Sequence, residues 1–213
     1  MKRKIPIIIL IFIIILVYIL YRNNYIPHKK YTNDYFNIEQ YKSKIDKDKD
    51  GIDDQTDILN STREYISTKP KYKSKYYGTG YPNDQYGVCT DVVATALKNA
   101  GYDLMELVNI DIKNNKQNYD IDVIDKNIDF RRVKNLIIYF KNNTINLTTD
   151  IKNTKEWQGG DIIIFKNHIG IVSDKRNKKG IPFIIHNQSP YQSDYEQDIL
   201  EYRNDIVGHY RMS

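Results

Sequence analysis

Cys89 is the only cysteine in this chain of 213 residues, so it forms no internal disulfide. It follows the turn-rich stretch 80–87 and immediately precedes the apolar stripe Val92, Val93, Ala96, Leu97 and Ala100. That order predicts a thiol at a helix N-terminus, where free amides and the helix dipole favour a thiolate and supply donors for an oxyanion. A buried small hydrophobe is the competing reading of a lone cysteine. Two histidines turn the thiol toward catalysis. His168 opens a predicted strand over 168–172, and His186 closes another over 183–186, with a loop over 174–180 between them. A hairpin centred on Asn177 sets the two imidazoles directly opposite on one face, with Cβ atoms roughly 4.5 to 5.5 Å apart. A base that takes the thiol proton, and a third group that orients the base, are what a cysteine hydrolase requires. One Cys and two His can also hold zinc with an open fourth position, but no C-x-x-C or H-x-x-x-H spacing supports that. His209, in Gly208-His209-Tyr210-Arg211, reads as structural, and His28 lies in a polar segment near the N-terminus.

A second constellation is acidic. Asp46, Asp48, Asp50, Gly51, Ile52, Asp54 and Asp57 spell D-x-D-x-D-G-I-x-D-x-x-D, with oxygen ligands at positions 1, 3, 5, 9 and 12 and the backbone carbonyl of Ile52 at position 7. The pattern suits Ca2+ as a structural cofactor, and nothing in the chain calls for a catalytic one. It resembles the single loops of dockerin and thrombospondin-type repeats more than a paired EF-hand, because position 8 is Asp53 and position 12 is Asp rather than Glu. A solvated charge run is the alternative, since Lys47 and Lys49 alternate with the acids.

The surrounding elements follow from periodicity. Ile58, Leu59, Thr62, Tyr65 and Ile66 recur at helical spacing, as do Val133, Leu136, Ile137 and Phe140, and Gly101 is a natural stop for the helix that begins at Cys89. After Gly159-Gly160 the texture changes to short β-rich runs, including Ile162–Phe165. Helices first and strands later predict an α+β fold. At the N-terminus, residues 5–21 are apolar or aromatic and uncharged; as a helix they rise roughly 25 Å, close to the thickness of a hydrocarbon core. No small-x-small cleavage site follows. The expectation is a single-pass anchor over 1–22 that contacts the lipid bilayer, with Tyr18, Tyr21 and Tyr25 near the interface and the C-terminal body extracytoplasmic. A polar tether over 23–45 comes next, then the calcium-type loop over 46–57 and a hydrolase domain over 58–213. The net charge is +5, but Lys2, Arg3, Lys4 and Arg22 supply four of the 32 basic residues and flank the apolar run, which leaves 28 bases against 27 acids. A balanced remainder has no field to gather a polyanion, so no nucleic-acid partner is expected.

Gly87-Val88-Cys89-Thr90-Asp91-Val92, the run 127–136 containing Asp129-Phe130-Arg131-Arg132, Trp157-Gln158-Gly159-Gly160-Asp161-Ile162, His168-Ile169-Gly170-Ile171-Val172, Ile185-His186-Asn187 and Gly208-His209-Tyr210-Arg211 together resemble the family called domain of unknown function 1287. The resemblance spans about residues 56–213. That family is similar in turn to the papain-like NlpC/p60 superfamily, in which a Cys opens a helix and a His-x-Gly-x strand follows. The resemblance implies a papain-like fold of N-terminal helices on a small antiparallel sheet, with Cys89 as nucleophile, His168 as base and His186 as orienting residue. It implies a cell-wall peptide or peptidoglycan as substrate. Thr90-Asp91 stands where the better-known peptidases carry Ser-Gly, a departure that bears on substrate. Asp84, Tyr86 and Asp91 flank the nucleophile as candidate contacts for substrate amines, and Arg131 and Arg132 as contacts for a carboxylate. The rival class is a non-catalytic, calcium-braced module that binds cell-wall polymer.

Overall fold

The computed structural model describes residues 4–212 and joins a set of helices to a six-stranded antiparallel sheet. Helix α1 (Lys4–Arg22) precedes a long irregular arm that ends at α2 (Asp54–Ser67), whose first turn is capped by Asp53 accepting from the Thr56 amide. Two short strands, β1 (Lys71–Tyr72) and β2 (Tyr86–Gly87), pair in parallel and deliver the chain to α3 (Cys89–Asn99). Gly101 ends that helix in the left-handed region, at φ +83°, as its position predicts. Helices α4 (Leu104–Asn114), α5 (Lys126–Asp129) and α6 (Val133–Asn143) follow, then β3 (Ile145–Asn146), β4 (Ile162–Phe165), β5 (His168–Arg176), β6 (Pro182–Ile185), β7 (Glu196–Gln197) and β8 (Ile206–Arg211). The sheet order is β3-β8-β4-β5-β6-β7.

Both faces of the central strands are covered, which is why β4 reads Ile-Ile-Ile-Phe without a polar position. Ile162, Ile164, Ile169 and Ile171 face α2, α3, α4 and α6 in one core with Ile58, Val93, Leu97, Val108 and Leu136. Ile163, Phe165, Val172 and Ile184 face the other way, into a second core closed by Trp157, Ile181 and Leu200. Helices precede the sheet strands in the chain, as expected, and pack on one side of the sheet.

One expectation is corrected. Among the described residues no helix is long and apolar enough to cross a membrane. Helix α1 has 19 residues with Lys4 and Arg22 at its ends. The single-pass anchor over 1–22 is thereby removed, and with it the membrane localisation and the extracytoplasmic placement that rested on it.

Nor is 23–45 a free tether. His28 is buried, its Nδ1 hydrogen-bonds the Asp198 carboxylate at 3.0 Å, and its ring stacks on Tyr21 at 3.8 Å. The Tyr31 and Arg176 backbones bond to each other, and the buried Arg176 guanidinium donates to Asn33 Oδ1 at 2.6 Å. Polar composition marked this arm as solvated, but His28, Lys30, Tyr31 and Asn33 are bonded to residues of the sheet and the loops beside it.

Candidate active site

The histidines come together by a register different from the one centred on Asn177. Strand β5 runs on to Arg176, the turn falls at 177–180, and a bulge between Val172 and Arg176 absorbs part of the offset. The ladder pairs Ile171 with Ile185 and Val172 with Ile184, so His186 stands beyond Gly170 rather than opposite His168. A shift of two residues keeps side chains on the same face. The rings therefore meet diagonally, with His168 Nε2 and His186 Nδ1 3.0 Å apart and centroids 4.9 Å apart, edge to face. Gly170 makes the room. A Cβ there would lie 2.7 Å from Ile184 Cγ2, 2.9 Å from the Ile185 carbonyl and 3.3 Å from His186 Cβ.

The thiol reaches the same strand at its edge. Phe165 and His168 close a hairpin around Lys166-Asn167, and a two-residue hairpin is closed by a hydrogen-bonded pair. The next pair, Ile164 with Ile169, is then of the other kind, so the Ile169 amide points away from β4 toward β6. Strand β6 ends at Ile185, where the chain departs. The amide of Ile169 is left facing the Cys89 sulfur instead, and with the amides of Thr90 and of Cys89 itself, at the start of α3, it favours the thiolate. Asn187 holds this junction, its side-chain amide donating to the carbonyls of Pro70 at 2.9 Å and Gly87 at 3.1 Å. Cys89 is partly exposed and its stem touches the helix-side core. His168 lies on the opposite face of β5 against Phe165, with ring centroids 5.9 Å apart. Sulfur and imidazole thus lie on opposite faces of β5, without a direct hydrogen bond between them.

Electrostatically the site is a neutral one. Burial pushes the Cys89 thiol up to about 11, against the three amides that favour the thiolate. The expected low thiol pKa is corrected: desolvation outweighs the helix start. Burial and then the Arg203 charge hold His186 down at about 3, and burial, His186 and Arg203 hold His168 well below its usual range. Arg203 is itself clamped by Asp205 at 2.7 Å and lies over the Phe165 ring. His186 Nε2 is buried and has no hydrogen-bond partner.

The sequence profile described as a domain of unknown function, DUF1287, matches residues 59–212. The uncharacterized protein YijF of Escherichia coli (strain K12) is 35% identical over 167 residues, which cover 72% of this chain and 80% of that protein. This chain belongs to the DUF1287 family. No solved structure matches it. The matched region of this DUF1287 member holds Cys89, both histidines and the whole sheet, and begins just after the acidic loop.

The residues offered for substrate binding divide. Asp91 and Arg131 are buried and spent on each other, Nε to Oδ1 at 2.6 Å and Nη2 to Oδ2 at 2.9 Å, while Asp91 Oδ2 also accepts the Val88 amide and caps α3. Asp84 organises its own turn through Lys75, the Tyr77 hydroxyl and the Tyr86 amide. Tyr86 and Arg132 remain available: Arg132 touches only Asp129, at 3.7 Å. Tyr86, Lys71, Tyr72, Asn187, Gln192 and Tyr195 line a cleft of about 360 Å³ beside the turn that precedes Cys89. Asn187 and the Ile169 amide were missed by residue-type reasoning. The signal for Asn187 was its place directly after His186, and for Ile169 there was none, since a backbone group carries no side-chain signature.

His209 is structural, as expected: it bonds Asp161 at 2.9 Å and stacks on Trp157. In the acidic loop, single carboxylate oxygens of Asp46, Asp48 and Asp50 lie within 4.8 Å of one another, the one such group of metal-ligand side chains among the described residues. The donor atoms of Cys89, His168 and His186 do not gather that closely, which disfavours a shared zinc. Asp54 departs from the expected ligand set, because its oxygens accept the Lys47 amide at 2.7 Å and the Tyr102 hydroxyl. Ile52 is exposed at the loop's rim, and Asp57 is buried beneath it.

Proposed function

We propose that this chain is a cysteine hydrolase that cuts an amide bond, with Cys89 as nucleophile, His168 as general base and His186 as positioning residue. The observation that carries the reading is the 3.0 Å contact between His168 Nε2 and His186 Nδ1, on a strand whose next amide faces the Cys89 sulfur. With Nε2 committed to His186, Nδ1 is the nitrogen of His168 left for the thiol proton.

The resting pair is neutral, so the proton moves during attack. Sulfur adds to the carbonyl carbon as the thiol proton passes to His168, and the oxygen takes up negative charge near the amides that open α3. The carbon–nitrogen bond then breaks, His168 returns the proton to the leaving amine, and a thioester remains on Cys89. Water, deprotonated by His168, adds to the thioester; the acid leaves, and the proton returns to sulfur. The imidazolium formed on His168 donates through Nε2 to His186, a hydrogen bond strengthened by the charge.

The likeness of these motifs to NlpC/p60 peptidases supports a peptide substrate, in particular a cell-wall stem peptide. The cleft with its tyrosines and Lys71 suits an extended polar chain, and Tyr86 and Arg132 are the contacts to test. One observation favours the non-catalytic, wall-binding alternative: a thiol held near 11 is a poor free nucleophile. Digestion of purified wall fragments by the parent and by Cys89→Ala, followed by mass spectrometry, separates the two. New termini with the parent alone support the hydrolase. Intact fragments that co-sediment equally with both proteins overturn it in favour of the binder.

A further inference from the structure

The acids before α2 take no part in that chemistry. We infer that Asp46, Asp48, Asp50 and Asp57 form a binding site for a calcium-sized hard cation, which fastens the loop to the first turn of α2. The inference does not rest on the hydrolase reading.

Three carboxylates within 4.8 Å would not by themselves make a site. The deciding group is Asp57. Its side chain is only 8% exposed, Oδ1 has a single long contact from the Ser61 hydroxyl at 3.3 Å, and Oδ2 is buried with no partner at all. It stands in the first turn of α2, directly after the loop that carries Asp46, Asp48 and Asp50. A buried carboxylate next to like charges is costly unless a cation joins them. No lysine fills that role. None of these four acids has an ion-pair partner among the described residues, and Lys47 turns its ammonium over the Tyr102 ring instead.

Asp54 serves a different purpose from the one its position in the motif suggests. Bonded to Tyr102 and to the Lys47 amide, it pins the back of the loop to the turn between α3 and α4. There Gly101 allows the Lys47 stem and the Asp48 amide to pass close by: a Cβ would meet them at 2.9 and 3.1 Å. The loop is thus anchored on one side by hydrogen bonds to Asp54 and left with four carboxylates on the other. An all-oxygen set of this kind, with the Ile52 carbonyl at position 7, matches calcium rather than a thiophilic metal. Binding would also steady the whole domain, because Gln55, in the same first turn, donates to the Gly159 carbonyl at 2.7 Å and to Asp161 at 2.8 Å.

The test is titration calorimetry and thermal unfolding of the full chain with calcium chloride, magnesium chloride as control, in the parent and in Asp57→Asn and Asp54→Asn. Calcium is expected to release or take up heat and raise the parent's unfolding midpoint more than magnesium does. Asp57→Asn keeps or raises the metal-free midpoint, since a crowded acid is gone, but loses the calcium increment and binds at least about tenfold more weakly. Asp54→Asn lowers the midpoint with and without calcium and retains the increment. A parent that shows neither heat nor a shift at millimolar calcium overturns the site, and an undiminished increment in Asp57→Asn overturns the assignment of Asp57.

Discussion

Lowering the pH from 7 to 4 should destabilise this protein through His186. Its imidazole is fully buried and held at about 3, while the same group in the unfolded chain titrates at 6.5. A base whose pKa is depressed by folding contributes its stability above the unfolded value and loses it as the pH falls toward the folded one. The loss therefore begins near pH 6.5 and continues to about pH 3. Each proton taken up only by the unfolded chain costs about 1.4 kcal/mol per pH unit, so His186 alone removes about 3 kcal/mol by pH 4. That is a large part of an ordinary domain's 5–15 kcal/mol. His168, lowered in the same direction, adds to it. For Asp174 and Glu196 burial opposes ionisation, but hydrogen bonds from Arg63 to Asp174 and from Lys30 and Ser173 to Glu196 hold these carboxylates below their ordinary values, so their contribution is lost only as the pH falls through the ordinary carboxylate range and below. The informative quantity is the difference between parent and His186→Gln. Urea unfolding at pH 7, 6, 5 and 4 should give a visibly flatter decline for the variant, whatever its stability at pH 7. Parallel declines would refute the argument, and with it the picture of a neutral, desolvated pair.

Two further outcomes follow from the same geometry. Iodoacetamide should label Cys89 in the folded free protein about a hundredfold more slowly at pH 8 than an ordinary thiol, with a rate that climbs toward pH 11, because the thiol is raised from 9.0 to about 11; a rate that levels off below pH 7 would instead reveal a thiolate–imidazolium pair. Arg131→Met should cost about 3–5 kcal/mol in urea unfolding, because it strands the fully buried Asp91 carboxylate, and adding Asp91→Leu should recover much of the loss. An Arg131→Met protein of parental stability would return Arg131 to the list of substrate contacts.

The parts of the fold that could be read beforehand were those where one residue's type decides its surroundings. The stripes behind Cys89, Ile58 and Val133 are amphipathic at 3.6 spacing and became α3, α2 and α6, and the all-apolar run Ile162–Phe165 became a strand covered on both faces. Helix α4 and strand β8 escaped notice because Asn109 and Asp111 interrupt the first and Gly208-His209 the second; Asp111 is paired with Asn115 and Tyr119, and His209 with Asp161 and Thr148. The docked arm was misread for the same reason. Its histidine, asparagines and lysines look solvated until Asp198, Arg176 and Glu196 are brought to them.

Residue types and spacing alone determined which groups were eligible for chemistry: one sulfur ahead of a helix, two imidazoles on flanking strands, and five aspartates in a cation-loop pattern. Only the tertiary structure decided their states. Register, set by where the β5–β6 turn and bulge fall, made the imidazoles diagonal neighbours, and burial rather than the helix dipole set the thiol's proton affinity. Likewise Asp91 and Asp54, both well placed in sequence, were claimed by Arg131 and Tyr102, while Asp57 Oδ2 was left without a partner. Spacing along a chain limits where a side chain can stand, but desolvation and competition among neighbours are properties of the packed interior.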